Sequence, residues 1–467
     1  MFPAALRFLL GGYLLLSRPF SYIHVPGTPV YIGEVVLAIG FAEILRLRRH
    51  WRPVISRSAI LRLLMVFMGW CAVRFVTSLK EGLGSPVDIL RDSSIWYYGA
   101  FAFVVASYAT YDPRFIHRFM RWFMRIAPWL LLWTPVVMTI GVAKAVHLPG
   151  IPLPLNAVKN GDYAVNCGVA VAAIILGFSG REGLTHRYAH VLVVIGLGAI
   201  LVSGSQNRGG LIAALGEVGA AFWLSPRPRR SATVRATVPV LVAAIAVVVV
   251  VNPRFETHRR EVSVRQLASN MKSILGKGEG NADQSSTTEW RLDLWKDVLK
   301  DSLSPTYRIK GQGFGPNLYL KYRGDNGDPV PLRNPHSTHL DVLARVGIPG
   351  FVLWVVLWGG WWTTSIFAAV RHRRAGSWVH RDITLWLSLS VTAYLVNAAF
   401  DPALEGPHAG IWLWTFVGLG VAHFRRPAGR RQPSVARRTS ESGSVRSTDV
   451  VGVGAVRSRY TARRTGR

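Results

Sequence analysis

The chain of 467 residues is 50% hydrophobic and carries a formal net charge of +30. This hydrophobic share is close to the usual soluble range of about 45 to 50%, so composition alone does not separate a membrane protein from a soluble one. The distribution of the hydrophobic residues does separate the two classes. Outside residues 252–345 and 425–467, long apolar runs alternate with short arginine-bearing loops. This pattern excludes one large soluble core and indicates a chain that crosses a membrane many times.

The apolar runs predict the transmembrane helices, since a helix needs about 20 residues to cross a hydrocarbon core. We predict spans at residues 2–17, 29–45, 59–77, 95–109, 126–146, 162–178, 189–203, 209–224, 236–251, 346–370, 382–400 and 409–424. The expected fold class is all-α, a polytopic membrane protein with about 12 transmembrane helices and one large, mostly helical extracytoplasmic loop. The predicted divisions are transmembrane helices 1–9 (residues 1–251), the loop (252–345), transmembrane helices 10–12 (346–424) and a disordered, Arg-rich cytoplasmic tail (425–467).

Basic residues divide unevenly between the alternate connections of these spans. One set, together with the tail, holds 31 arginines, whereas the short connections of the other set hold five basic residues. Positive charge near span ends is retained in the cytoplasm, so we expect a multi-pass inner (cytoplasmic) membrane protein with both termini cytoplasmic and the large loop outside. We predict no nucleic-acid partner, because topology accounts for the basic residues.

The two cysteines, Cys71 and Cys167, both lie inside apolar runs. A disulfide framework is typical of small secreted domains. We therefore predict two buried free thiols that pack as small core residues.

The first polar interruption of the apolar pattern is VSGSQNRGGLIAAL, which contains Arg208. The predicted topology places Arg208 outside, and a guanidinium at the hydrocarbon boundary costs about 2.5 to 3.5 kcal/mol. One interpretation is an arginine that reaches lipid headgroups. The other is an anion held at a helix N-terminus by Arg208 and the polar and glycine residues around it.

The second segment, TTEWRLDLWKDVLKD, lies in the large loop. A helical wheel of about 100° per residue predicts one apolar face, formed by Leu292, Leu294, Trp295, Val298 and Leu299. Arg291 falls in the middle of this face, with no acidic residue three or four positions away to pair with it. Either the guanidinium stacks on Trp295, or it faces an anionic ligand, as the missing local partner favours.

The third segment is RNPHSTHLDVLARVGIPGF, in which Ser337 or Thr338 is expected to cap a helix. His336 would then lie at a helix entrance beside the membrane, where an imidazole can accept a proton. The competing use is a zinc site with His339, but no third ligand has suitable spacing, so no metal is expected. A surface histidine without a task is the remaining possibility. The predicted topology places all three segments on the outer face.

Two weaker features lie on the same face. The glycine turn GQGFGPN can in principle cradle phosphate, but it follows no strand and opens no clear helix, so we interpret it as loop geometry. The loop DPALEGPH contains Asp401, Glu405 and His408, which can contact an acceptor sugar. Polar loop residues usually do no more than solvate a turn.

The third segment is similar to the signature of the O-antigen ligase family of bacterial surface-glycan enzymes. That signature is histidine, then Asn, Ser or Gln, nine residues, glycine, two residues and glycine, and it is matched at His336, Ser337, Gly347 and Gly350.

Two arginines add to the resemblance. Arg208, in a short turn before a span that starts outside, is similar to the family's first functional arginine, although Asn207 stands where the family commonly has serine. The RxxxW pattern of Arg291 and Trp295, followed by a GxGxG turn, resembles the family's second.

The resemblance implies a membrane-embedded, GT-C-like glycosyltransferase that needs no metal or other cofactor. Its donor would be a glycan linked to undecaprenyl diphosphate, and its acceptor a hydroxyl of a lipid or glycan on the outer face. The implied roles are a general base for His336 and diphosphate binding for Arg208 and Arg291.

Two alternatives remain open. A polysaccharide polymerase of the same superfamily needs the same leaving group and pocket, although the complete histidine and glycine signature favours a ligase. A transporter of an anionic solute is the alternative from another class. Transporters place charged groups near the bilayer midplane, whereas the predicted spans carry few of them.

Overall fold

The computed structural model describes residues 1–46, 54–139, 146–147, 151, 153–181, 186–251, 255–256, 261–262, 282–324 and 333–426. The chain divides into the units Met1–Gly429 and Arg430–Arg467. All described residues belong to the first unit, so the predicted disordered tail lies outside them apart from its first two positions.

Most described residues are helical, which confirms the predicted all-α class. The N-terminal part contains α1 (Phe2–Leu16), α2 (Arg18–Ser21), α3 (Ile32–Arg46), α4 (Ala59–Lys80), α5 (Pro86–Asp92), α6 (Ser94–Tyr97), α7 (Ala100–Tyr111), α8 (Phe115–Thr139), α9 (Asn160–Ile175), α10 (Phe178–Arg181), α11 (His186–Gly204), α12 (Arg208–Leu224) and α13 (Arg227–Val251). The C-terminal part contains the short antiparallel pair β1 (Phe255–Glu256) and β2 (Glu261–Val262), followed by α14 (Ala282–Ser302), α15 (Leu318–Arg323), α16 (Thr338–Arg374), α17 (Trp378–Phe400) and α18 (Pro407–Phe424).

Several helices have the length and composition of membrane spans. Within the described ranges, α4, α16 and α17 are long and apolar enough to cross a membrane. They contain the predicted spans at 59–77, 346–370 and 382–400. These three helices identify the chain as a membrane protein. The full set of twelve spans stays a prediction.

The core is built around α9 and α18. Every residue from Gly161 to Ile175 and from His408 to Phe424 is buried, as expected for helices that are apolar on all sides. Cys71 and Cys167 are buried and free, which confirms their predicted role as small core residues.

A break near the start of α16 separates residues 338–346 from the long apolar part. Gly347 has φ 69° and ψ −176°, a backbone region open essentially only to glycine. Other segments donate hydrogen bonds to the three carbonyls before the break: Gln312 N–H to Ala344 O at 2.7 Å, Gly313 N–H to Arg345 O at 3.0 Å and the Trp70 indole to Val346 O at 2.8 Å. The first two turns of α16 are therefore held against the glycine turn.

The glycine turn uses its N–H groups to bind the protein itself. Besides those of Gln312 and Gly313, the N–H of Phe314 donates to Ser78 Oγ at 2.9 Å and that of Gly315 to Asp92 Oδ2 at 3.1 Å. These four N–H groups are engaged, so the interpretation as loop geometry, and not as a phosphate cradle, is confirmed.

We expect Gly347→Ala to destabilise the protein strongly. A Cβ at this position would lie 2.4 Å from the Ile309 carbonyl oxygen, and the backbone strain alone costs about 1–3 kcal/mol. Thermal unfolding of the purified protein in detergent measures the loss. Gly359→Ala is the matched control, because it lies in the same helix and a Cβ there meets nothing within 4 Å. Equal melting temperatures for the two variants would contradict the proposed role of the break.

Candidate active site

His336 lies immediately before α16, in a backbone conformation that needs support. Ser337 is the N-cap of the helix, and its hydroxyl accepts a hydrogen bond from Leu340 N–H at 3.5 Å, which confirms the predicted cap. His336 itself has φ 54°, in the left-handed region that costs an L-residue about 1–2 kcal/mol.

Two neighbouring side chains hold the backbone around His336. The Asn334 side-chain carbonyl accepts from the His336 backbone N–H at 3.3 Å. The Trp295 indole donates to the Pro335 carbonyl oxygen at 2.7 Å. Both contacts act on the residues just before the cap, so the direction in which the imidazole leaves the chain is constrained from two sides.

Trp290 brings Arg291 and His336 together. The Arg291 guanidinium carbon lies 5.6 Å from the centroid of the Trp290 ring. The Trp290 and His336 rings meet edge to face, with centroids 5.5 Å apart and an interplanar angle of 81°. A cation and an imidazole from two predicted site segments therefore contact one aromatic side chain. The sequence left open whether Arg291 stacks on Trp295 or faces an anionic ligand, and the structure shows a cation–π contact with Trp290.

The predicted apolar face of α14 is also too wide. Leu294 and Val298 are fully buried and cluster with Leu318 of α15 and Ala344 of α16. By contrast Leu292 and Leu299 are 46% and 38% exposed. The helix packs along a narrow strip, and this orientation leaves Arg291 half-buried beside the start of α16.

Arg208 is the first residue of α12 and follows a well-formed cap. The Asn207 side-chain carbonyl accepts from Gly210 N–H at 2.9 Å. A Cβ on Gly210 would lie 2.5 Å from Gly161 Cα, so glycine is needed where α12 begins against α9. Arg208 is half-buried at the positive end of the α12 dipole, a place that favours anions.

Asp401 connects the Arg208 turn to the start of α16. Its Oδ2 accepts from the Asn207 side-chain amide at 3.0 Å, and its backbone carbonyl accepts from the Thr338 hydroxyl at 3.4 Å. The Lys159 ammonium lies 3.2 Å from Asp401 Oδ1. Asn207, next to Arg208, and Thr338, two residues after His336, thus both bind one buried aspartate between α17 and α18.

A buried ion-pair network lies under the same region. Arg345 is 1% exposed and pairs with Asp341 at 2.9 Å and Asp92 at 3.0 Å. Arg333 binds Asp92 at 3.2 Å and Asp88 at 3.3 Å. Removing one partner of a buried pair typically costs about 3–5 kcal/mol. The network therefore makes a rigid base that joins α5, the segment before His336 and the first turns of α16.

His339 is used for packing. Its Nδ1 accepts from the Trp354 indole at 3.1 Å, which leaves Nε2 to donate to the Leu395 carbonyl oxygen at 3.0 Å. With both nitrogens engaged, His339 offers no ligand for the zinc pair considered from the sequence. Across the described ranges, no group of three or more His, Cys, Asp or Glu residues has the arrangement of a metal site.

The sequence reasoning missed several residues that shape this region. Trp290 and Asn334 flank Arg291 and His336 along the chain, so proximity to the motifs was a usable signal. Lys159 and Asp92 had no local signal in the sequence, because each pairs with a distant residue. Lys159 pairs with Asp401, and Asp92 pairs with Arg345.

Comparison with protein families places the three predicted site residues within a matched domain. Residues 191–355 match the family model described as O-antigen ligase. The match covers somewhat over a third of the chain and includes Arg208, Arg291 and His336 together with both signature glycines. It confirms the family resemblance seen in the motifs. No curated protein matches the chain.

Proposed function

We propose, from the match of residues 191–355 to the family model described as O-antigen ligase, that the chain is an integral membrane glycosyltransferase. It transfers a glycan from an undecaprenyl-diphosphate-linked donor to an acceptor hydroxyl of a lipid or glycan on the outer face of the cytoplasmic membrane. The observation that carries the proposal is the contact of Trp290 with both Arg291 and His336. A cation and a base beside one aromatic ring suit a reaction that displaces a diphosphate.

The proposed topology follows the charge pattern of the sequence. Twelve spans place both termini in the cytoplasm and residues 252–345 outside. The links of Asn207 and Thr338 to Asp401 support one shared outer face, because they bring the Arg208 and His336 segments to the same loop.

The proposed chemistry is a displacement at the anomeric carbon. The acceptor oxygen forms a bond to that carbon while the bond from carbon to the phosphate oxygen breaks, and undecaprenyl diphosphate leaves with the electron pair. A ring nitrogen of His336 takes the proton of the acceptor hydroxyl. The proton is later released to water, so the enzyme returns to its starting state.

The two arginines are proposed to bind the leaving group. Negative charge grows on the diphosphate as the bond breaks, and a guanidinium offers paired donors that match phosphate oxygens. Arg208 acts together with the N-terminus of α12, and Arg291 is held by Trp290 on the side of the base. Fixed cations at these positions stabilise the transition state more than the ground state.

A polymerase of the same superfamily is the alternative, since the family match supports both activities equally. Analysis of the lipid-linked glycans in cells without the protein separates them. Loss of a ligase should leave long polymer on the carrier lipid, as we expect here. Accumulation of single repeat units would identify a polymerase, and an unchanged pool of both would contradict the proposed function.

A further inference from the structure

Glu405 lies in the loop between α17 and α18, on the far side of Asn334 from His336. The Asn334 side-chain amide donates to Glu405 Oε2, and the Ser94 hydroxyl donates to the Glu405 backbone carbonyl at 2.7 Å. The loop is thus tied to α6 on one side and to the segment before α16 on the other.

The Asn334 carboxamide has a defined orientation. A backbone N–H can only donate, so the atom facing His336 N–H must be the Asn334 oxygen, and its NH₂ group then faces Glu405. Asn334 therefore transmits the position of the Glu405 carboxyl to the backbone of His336, the residue with φ 54°.

The surroundings of Glu405 favour the neutral acid. Its Oε1 atom is buried and has no hydrogen-bond partner in the described part of the chain. The nearby cations are committed elsewhere, Lys159 to Asp401 and Arg345 to Asp341 and Asp92. A buried carboxylate with one hydrogen bond and no counter-ion would be costly.

Burial and the neighbouring charges both shift the pKa of the Glu405 carboxyl. Burial raises the pKa of the Glu405 carboxyl well above its usual range, Asp341 and Asp92 raise this pKa further, and Arg345 and Lys159 oppose them. The raised pKa means that the carboxyl keeps its proton to a higher pH than an ordinary glutamate does, and loses it as the pH rises through the raised value.

We propose that Glu405 is a positioning residue for His336, acting as a neutral carboxylic acid that holds Asn334 in place. Loss of its proton puts a negative charge into an enclosed site where Oε1 has no hydrogen-bond partner among the described residues. Movement of the carboxylate toward water or a cation would then carry Asn334 and the His336 backbone with it, away from the acceptor hydroxyl. This inference rests on the proposed role of His336 as the base. It assigns Glu405 a role apart from direct sugar contact.

The test compares Glu405→Gln, Glu405→Ala and Asn334→Ala with wild type in glycan transfer across a range of pH. Glutamine mimics the neutral acid and accepts the same hydrogen bond, so Glu405→Gln should keep most of the activity and lose the alkaline fall in kcat. Each alanine variant should lower kcat by about 10- to 100-fold with little change in KM, since a shift of about 1 Å can cost that much. Asp293→Asn is the matched control, because Asp293 is exposed and pairs only with exposed Lys296 among the described residues.

A second readout does not depend on transfer. The rate at which diethyl pyrocarbonate modifies His336, followed by mass spectrometry, reports the exposure and protonation of the imidazole. Glu405→Ala and Asn334→Ala should change this rate, whereas Glu405→Gln and Asp293→Asn should not. A Glu405→Ala variant with the modification rate and kcat of wild type would overturn the positioning role. A loss of kcat in Glu405→Gln equal to that in Glu405→Ala would overturn the proposal that the carboxyl acts as a neutral acid. If the wild type shows no glycan transfer, the proposed function is rejected. If the alanine variants still change the modification rate of His336 in that case, the positioning role of Glu405 stands.

Discussion

His336→Ala should lower glycan transfer by about 10²- to 10⁴-fold, the usual contribution of a general base. The acceptor hydroxyl would have to lose its proton to water, which is a weaker base. The loss should fall mainly on kcat, because the imidazole acts on the proton during bond formation. Single-turnover transfer from purified lipid-linked donor measures this step without interference from product release.

The matched control is His24→Ala, which removes an exposed histidine outside the site. Its activity should equal that of wild type. Added imidazole should restore part of the activity of His336→Ala, since a small base can enter the space that the side chain leaves. Full transfer by His336→Ala without added base would remove His336 from the mechanism.

Arg208→Ala and Arg291→Ala should each lower kcat by about 10²- to 10³-fold, as expected when one charge-stabilising donor is lost. Lysine at either position should restore part of the activity, because it keeps the charge but loses the paired donors of the guanidinium. The double variant should lose less than the product of the single effects if both arginines bind the same diphosphate.

Arg91→Ala is the control for the arginine series. Arg91 belongs to the predicted outer face, its side chain is 55% exposed, and it contacts Asp88 at 2.7 Å and Asp92 at 4.0 Å only at the exposed edge of the ion-pair network. Wild-type activity is expected for this variant. An equal loss in Arg91→Ala would mean that general surface charge, and not a specific diphosphate site, accounts for the effect. Strictly multiplicative losses in the double variant would contradict a shared ligand.

Local patterns in the sequence predicted the features of the site that depend on local interactions. A cap at Ser337 follows from residue type and position before an apolar run, and the start of α12 at Arg208 follows from a polar turn between apolar segments. Likewise, a glycine cluster without a strand before it indicated loop geometry. Each of these depends on neighbours within about four residues, which a single sequence displays.

The remaining features depend on packing between distant segments. The bonds from Asn207 to Asp401 and from Asn334 to Glu405 join residues 194 and 71 positions apart, and no periodicity predicts such pairs. The contact of Arg291 with Trp290 depends on packing in the same way. A helical wheel places Arg291 beside Trp295, but α14 is oriented by its contacts with α15 and α16. That orientation sends the Trp295 indole to Pro335 and leaves the guanidinium over Trp290.

Cysteine labelling in right-side-out membrane vesicles tests most directly the claim that the Arg208 and Arg291 segments face the same, extracytoplasmic side of the membrane. Single cysteines are introduced as Gln206→Cys beside Arg208, Leu292→Cys beside Arg291 and Ser231→Cys on a predicted cytoplasmic connection, in a chain without Cys71 and Cys167. A membrane-impermeant maleimide should label positions 206 and 292 in intact vesicles and position 231 only after the membrane is opened. Labelling of positions 206 and 292 from opposite sides would contradict the account.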